Sequence, residues 1–170
     1  MQKIVPFLWF DTQALEAAKF YVSVFKKKSK ILNVSHYGES GPGPKGSVMV
    51  VDFQLEGQRF QALNGGPHFK FSPAFSLSIP CKSQKKVDHF WKKLTVGGGA
   101  PGQCGWLTDK FGFSWQVVPN VLPKLLASKD KAKAARVMDV MMKMSKLEVG
   151  ALEAAAKGTR PRKRKAGATA

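Results

Sequence analysis

Cysteine, acidic residues and long apolar runs are all in short supply, and each shortage removes a class of protein. Two cysteines, Cys81 and Cys104, in 170 residues cannot build a disulfide framework and lack metal-ligand spacing. That usage points to a reducing, cytoplasmic compartment. No apolar stretch approaches the roughly 20 residues that span a bilayer, so no membrane partner is expected. The apolar opening up to Phe10 is too short for a signal peptide and is interrupted by Asp11; it reads as a first strand. Acids number 11 against 28 lysines and arginines, a net charge of +17. About half of that surplus lies beyond residue 120, and Lys157, Arg160, Arg162, Lys163, Arg164 and Lys165 have no acid among them. The segment 158–170 is therefore expected to be a disordered tail attracted to polyanions. Plain solvation and a weak nucleic-acid contact both fit it.

What is present is a core-forming composition and an internal duplication. Hydrophobic residues make up 44% of the chain, with 12 phenylalanines, enough for one domain with a real core. The run Phe7-Leu-Trp-Phe-Asp-Thr-Gln-Ala-Leu-Glu-Ala-Ala-Lys-Phe-Tyr21 is an apolar strand leading into an amphipathic helix. Leu77-Ser-Ile-Pro-Cys-Lys-Ser-Gln-Lys-Lys-Val-Asp-His-Phe-Trp91 repeats that plan. Gly57-Gln-Arg-Phe-Gln-Ala-Leu63 is echoed by Gly112-Phe-Ser-Trp-Gln-Val-Val118. The period is too long for a solenoid and implies two copies of a small strand-helix-strands module.

Periodicity fills in each module. Strands are expected at 3–10, 31–36, 47–55 and 58–64, with a helix over 13–25 whose Ala14, Ala17, Ala18, Tyr21 and Phe25 form a buried stripe. Gly38–Gly46, with its Gly-Pro-Gly-Pro, reads as a loop. The second copy gives strands at 75–80, 105–108 and 114–119, a helix over 84–94 and a glycine-rich loop at 96–102. Beyond Pro123 the pattern becomes helical over 129–157, with Val137, Val140, Met141, Met144, Leu147 and Ala151 on one stripe. A methionine-rich stripe adapts to a docking surface, and a partner subunit is the favoured neighbour. The expected organisation is a duplicated domain over 1–125 (modules of about 1–66 and 74–120), a helix over 126–157 and the tail.

Tandem modules of this plan resemble the vicinal oxygen chelate superfamily, which includes glyoxalase I and bleomycin-resistance proteins. Pro6-Phe-Leu-Trp-Phe-Asp, Ala17-Ala-Lys-Phe-Tyr, Gly41-Pro-Gly-Pro, Ala62-Leu-Asn-Gly-Gly-Pro-His-Phe, Cys104-Gly-Trp-Leu, Asp109-Lys-Phe-Gly and Ser114-Trp-Gln-Val-Val-Pro are similar to its PhnB-like branch, often labelled 3-demethylubiquinone methyltransferase-like. The resemblance covers about 3–150. It implies an α+β fold in which two βαβββ modules curl into a half-barrel around a small-molecule cavity. It also implies, in metal-dependent members, one ligand from the first strand and one from the last strand of each module.

Counting through the duplication puts those positions at Pro6, Ser76, Gln61 and Gln116. They offer no charge and no imidazole, so neither a metal nor another cofactor is expected. Strand alternation then points Pro6, Leu8, Phe10, Gln61, Leu63, Ser76, Ser78, Ser114, Gln116 and Val118 into the cavity, and Trp9 and Trp115 toward the helices. Trp106 could wall the pocket. His68 is the histidine near this cup and a candidate base, with hydrogen-bonded packing the alternative. Cys104 is a candidate nucleophile without a fixed basic partner, which leaves an inert thiol as its alternative. Gly97-Gly-Gly-Ala-Pro-Gly follows a helix rather than a strand, so it does not have the context of a nucleotide-binding turn. The expected function is small-molecule binding by a homodimer with a degenerate metal site. The alternative is a glyoxalase/dioxygenase-like or quinone-modifying enzyme acting on a vicinal-oxygen substrate.

Overall fold

The computed structural model describes residues 4–159. The chain divides at Ser72/Pro73 into two compact units. The first runs β1 (Phe7–Phe10), α1 (Ala14–Phe25), β2 (Lys30–His36), β3 (Val48–Leu55) and β4 (Gln58–Asn64). The second opens with β5 (Ser76–Cys81), α2 (Gln84–Leu94), β6 (Ala100–Pro101), β7 (Trp106–Thr108) and β8 (Ser114–Pro119). Each is therefore a βαβββ module, and each carries one open four-stranded sheet, ordered β1-β4-β3-β2 and β5-β8-β7-β6. In both, the first strand pairs in parallel with the last, as a strand returning after a crossover helix requires. β1 is shorter than its apolar run suggests. Pro6 has no N–H to give a ladder, although its carbonyl still accepts from the Gln61 N–H at 3.0 Å.

Alternation decides what lies under each helix. In unit 1 the buried residues Leu8, Phe10, Val51, Phe53, Phe60 and Ala62 share one sheet face. They meet Ala14, Ala17, Ala18, Tyr21 and Val24 of α1, with the Tyr21 and Phe53 rings 6.3 Å apart. The helix stripe thus ends on Val24 rather than Phe25, one residue from expectation. In unit 2, Ile79, Cys81, Trp115 and Val117 lie under Val87, Phe90 and Leu94 of α2. Ser83 caps α2, its side chain accepting from the Lys86 N–H. Burying a large apolar side chain contributes on the order of 2 kcal/mol, so these two half-cores hold the sheets to their helices.

The C-terminal stretch differs from the single long helix read in the sequence. It forms α3 (Val121–Leu126), α4 (Lys131–Met141) and α5 (Val149–Lys157). Between α4 and α5 the chain leaves helical geometry because its carbonyls are spent elsewhere. Met144 O accepts from the Cys104 N–H and Ser145 O from the Gly105 N–H, both at 2.8 Å. Leu147, fully buried, then joins Leu122, Val137, Leu152, Ala155 and Ala156 in a cluster that also takes Val118. This layer therefore packs within unit 2, which corrects the expectation of a partner-facing helix. Lys146 pins it, reaching Asp88 of α2 at 2.6 Å and Glu148 at 2.9 Å. Arg136 closes the far end by donating to Ala155 O and Ala156 O. The basic tail beyond Thr159 lies outside the described residues. Among the described residues no helix is long and apolar enough to cross a membrane.

Candidate functional site

Each sheet has a second face, opposite its helix, and the expected site residues divide between the two faces. In unit 2 the pairs Ser76↔Ser114 and Ser78↔Gln116, with Trp106↔Gln116 and Thr108↔Ser114, put Ser76, Ser78, Ser114, Gln116 and Trp106 together on the face away from α2. The Gln116 amide donates to Ser76 Oγ at 2.9 Å. Ser114 belongs to this face but is buried. Trp106 is half-buried beside Gln116. Val118 is drawn into the C-terminal cluster instead. Trp115 lies under α2, as alternation required.

Unit 1 requires a correction. Phe7 pairs with Gln61 and Trp9 with Leu63, so Gln61 and Leu63 share their face with Phe7 and Trp9. Leu8 and Phe10 pair with Ala62 and Asn64 and are buried against α1. Trp9, expected under the helix, is on the opposite face, its indole N–H bonded to Gly66 O at 2.9 Å. The cause is one residue in a turn. Three residues separate β1 from α1, and two separate β5 from α2. Counting back from the helix motif therefore misplaces the strand by one and inverts every side chain on it. The equivalent of Ser78 is Phe7, not Leu8, and Pro6 corresponds to Leu77, not Ser76.

One residue the sequence reading passed over is Asp52. It lies across from Gln61, whose amide donates to Asp52 Oδ1 at 2.8 Å. A single carboxylate inside the apolar strand Val48-Met-Val-Val-Asp-Phe-Gln-Leu55 was the signal that could have found it. Unit 1 thus presents an amide-carboxylate pair where unit 2 presents an amide-hydroxyl pair.

His68 sits elsewhere in unit 1, exposed at the rim of a cleft of about 460 Å3. The cleft is bounded by the β1–α1 turn (Asp11, Thr12), the β2–β3 loop and the chain leaving β4. Asn64 organises it. Its Oδ1 accepts the first helical N–H, that of Ala14, at 2.7 Å; its amide donates to Val48 O; its backbone carbonyl accepts the Tyr37 hydroxyl at 2.6 Å. The Gly-Pro-Gly-Pro strap wraps the Tyr37 ring so closely that a Cβ on Gly41 or Gly43 would come within 2.6 or 2.4 Å of it. Cys104, in unit 2, is half-exposed with a left-handed backbone, φ 56°. Its Sγ lies 3.6 Å from Met141 O and 3.7 Å from Met142 Sδ, a sulfur-rich setting in which no base among the described residues bonds the thiol. His68 and Cys104 thus belong to separate local environments, neither on a glutamine-bearing face. Among the described residues, no three of His, Cys, Asp or Glu come together in a way that could hold a metal ion.

Residues 2–118 match the model of the family described as 3-demethylubiquinone-9 3-methyltransferase. The match stops before α3, short of the extent to about residue 150 expected from sequence. The solved structure of the Bacillus cereus PhnB protein, described as a 3-demethylubiquinone-9 3-methyltransferase, is 38% identical to this chain. It covers 69% of this chain and 99% of its own, with a TM-score of 0.63. Protein PA1353 from Pseudomonas aeruginosa has the same fold at 21% identity and a TM-score of 0.57, over 70% of this chain and 98% of its own. A glyoxylase/bleomycin resistance protein/dioxygenase domain from Frankia sp. EAN1pec is similar at 14% identity and a TM-score of 0.45, over 70% of this chain and 92% of its own. No curated protein matches the chain. With two βαβββ modules in place and most of its length matched, the chain belongs to the PhnB-like, 3-demethylubiquinone-9 3-methyltransferase family.

Proposed function

We propose that this protein binds a small, weakly polar organic molecule on a sheet face that carries a last-strand glutamine, Gln61 in unit 1 or Gln116 in unit 2, without a metal and as a homodimer. The reading rests on one observation: the last-strand position is a glutamine in both modules, and each amide is committed to a neighbour, Asp52 or Ser76. Such a donor set does not fit a divalent ion. Hard ions take several carboxylates and borderline ones take imidazole or thiolate, whereas these positions supply amides, hydroxyls and one carboxylate. The metal site of the superfamily is therefore degenerate in this reading, and no chemical step runs through it. Glutamine and serine supply hydrogen bonds that orient a ligand, while Trp9 and Trp106, half-buried on the same faces, supply flat apolar surface. A few placed polar groups among apolar ones is the usual make-up of a small-molecule site. Met138 and Met142, exposed on and just after α4, support a dimer surface. Both cysteines are unpaired, which suits a cytoplasmic setting. The basic tail supports a secondary, salt-sensitive contact with nucleic acid, which deletion of 158–170 would remove.

Asp52 favours a second reading, an enzyme acting on a vicinal-oxygen or quinone-like substrate with this carboxylate as base. In that case Asp52→Asn abolishes turnover while binding survives. The deciding experiment is elemental analysis of the purified protein, followed by thermal melts with Mn2+, Ni2+ and Zn2+. Metal-free protein whose melting temperature moves by less than about 1 °C is the expected result, because an ion bound only by the folded state must stabilise it. Stoichiometric metal with concentration-dependent stabilisation overturns the reading.

A further inference from the structure

The two modules differ at corresponding places in a way that the duplication itself does not predict. In unit 2 three elements meet at one end of the sheet: the N-terminus of α2, the β6–β7 loop and the end of β8. A segment of the chain's own C-terminal layer fills that end. Gln84 at the start of α2 donates to Leu147 O and accepts from the Val149 N–H. Cys104 and Gly105 of the loop donate to Met144 O and Ser145 O. The Leu147 side chain lies so close that a Cβ on Gly105 would be 2.8 Å from it. Beside Leu147 stands the Lys146 ammonium, held by Asp88 and Glu148. The filler is therefore an apolar body with an adjacent ammonium.

The same three elements of unit 1 are the N-terminus of α1, the β2–β3 loop and the end of β4. They enclose the 460 Å3 cleft, which no segment among the described residues fills. Among the described residues, Asp11 is the one Asp, Glu, Lys or Arg that lines it, in a chain whose net charge is +17. Among the described residues its carboxylate has neither an ion pair nor a hydrogen bond. Tyr37, Pro44 and Pro67 provide rigid apolar walls. None of Phe7, Gln61 or Asp52 lines this cleft, so it is separate from the faces assigned above.

We propose that the unit 1 cleft is a binding site for a small apolar amine, whose body lies against Tyr37 and the proline walls and whose ammonium meets Asp11. The probes are tryptamine, tryptophol and indole-3-propionate, which share one flat body and carry positive, zero and negative charge. Each is titrated into 15N-labelled full-length protein, following the amide signals of Gly43, Gly65 and Gly66. Tryptamine is expected to bind tightest and the propionate weakest. The gain of tryptamine over tryptophol should be about two- to fivefold, the size of a solvent-accessible ion pair. Asp11→Asn should erase that gain and leave tryptophol unchanged. Gly43→Ala should weaken all three, because the strap must leave the Tyr37 ring. The Asp11 variant alone decides the matter if Gly43→Ala does not fold. The proposal is overturned if none of the probes binds, if the anion binds as well as the amine, if Asp11→Asn leaves the preference intact, or if the shifts map away from the cleft.

Discussion

Replacing Asp109 by asparagine tests how the second module presents Gln116. Asp109 is 2% exposed, and its carboxylate collects three donors. Oδ1 accepts from the Phe111 N–H at 2.9 Å and the Phe113 N–H at 3.1 Å. Oδ2 accepts from the Trp115 indole at 2.8 Å. That carboxylate ties the turn between β7 and β8 to the tryptophan under α2, and thereby fixes the register that sets Trp106 across from Gln116. Asparagine is isosteric but can replace only one oxygen. With its carbonyl on the two backbone donors, its NH2 faces the indole N–H, so one bond is lost and two buried donors oppose each other. An unsatisfied buried donor costs about 1–3 kcal/mol. The expected loss is therefore about 2 kcal/mol, or about 4–8 °C in melting temperature for a chain of this size. Asp109→Ala strands all three donors and should cost about 3–6 kcal/mol.

Guanidinium denaturation followed by far-UV circular dichroism measures both variants. The sharper assay is a double-mutant cycle with Trp115→Phe, which deletes the opposing donor. Asparagine should be tolerated better in the phenylalanine background, with a coupling energy of about 1–2 kcal/mol. Wild-type stability for Asp109→Asn, or strict additivity in the cycle, refutes it.

Two further outcomes follow from particular contacts. Burial acts to lower the pKa of Lys146, but hydrogen bonds and charge from Asp88 and Glu148 outweigh it, and the net direction is upward from 10.5. A raised folded-state pKa means its stabilisation is complete below about pH 10.5 and is lost as pH climbs through the higher folded value. Lys146→Met should therefore be destabilised by about 0.5–1 kcal/mol at pH 7, with the gap to wild type closing only in strongly alkaline buffer. A gap that instead closed below pH 9 would contradict the assignment. Gly65→Ala puts a Cβ 2.2 Å from the Trp9 ring, which must swing away and break its bond to Gly66 O. A loss of about 1–3 kcal/mol and a red-shifted tryptophan emission are expected, and an unchanged spectrum would show that the ring accommodates the methyl in place.

How much was legible in the sequence depended on how local the signal was. The pattern over 84–94 matches α2 and that over 58–64 matches β4, because apolar spacing and turn glycines act within a few residues. The face of β5 was also readable, since Ser76 and Ser78 alternate with Leu77 and Ile79. The face of β1 was not. Phe7, Leu8, Trp9 and Phe10 are all apolar, so alternation gives no parity, and the parity borrowed from the second copy failed over one extra turn residue. The break between α4 and α5 was equally hidden. Nothing at Met142–Ser145 forbids a helix; its carbonyls are recruited by Cys104 and Gly105, about 40 residues away in the chain. Of the candidate site, the glutamines could be found by matching the turns at Gly57 and Gly112. Asp52 reaches them only through strand pairing, a relation that residue spacing does not encode.

The two modules share a scaffold but not a surface. Across from the last-strand glutamine, β3 places Asp52 and β7 places Trp106: a carboxylate in one half, an indole in the other. Charge repels or attracts over several ångströms, whereas an indole acts by contact. A ligand of the unit 1 face would therefore need a polar, donor-rich group, and a ligand of the unit 2 face a flat apolar surface. Asp52→Asn should then change affinity for ligands that differ in hydrogen-bond donors, and Trp106→Leu affinity for ligands that differ in aromatic area. If both substitutions altered affinity in parallel across the two sets of ligands, the faces would be acting as equivalents, and the chemical asymmetry between Asp52 and Trp106 would have no part in recognition.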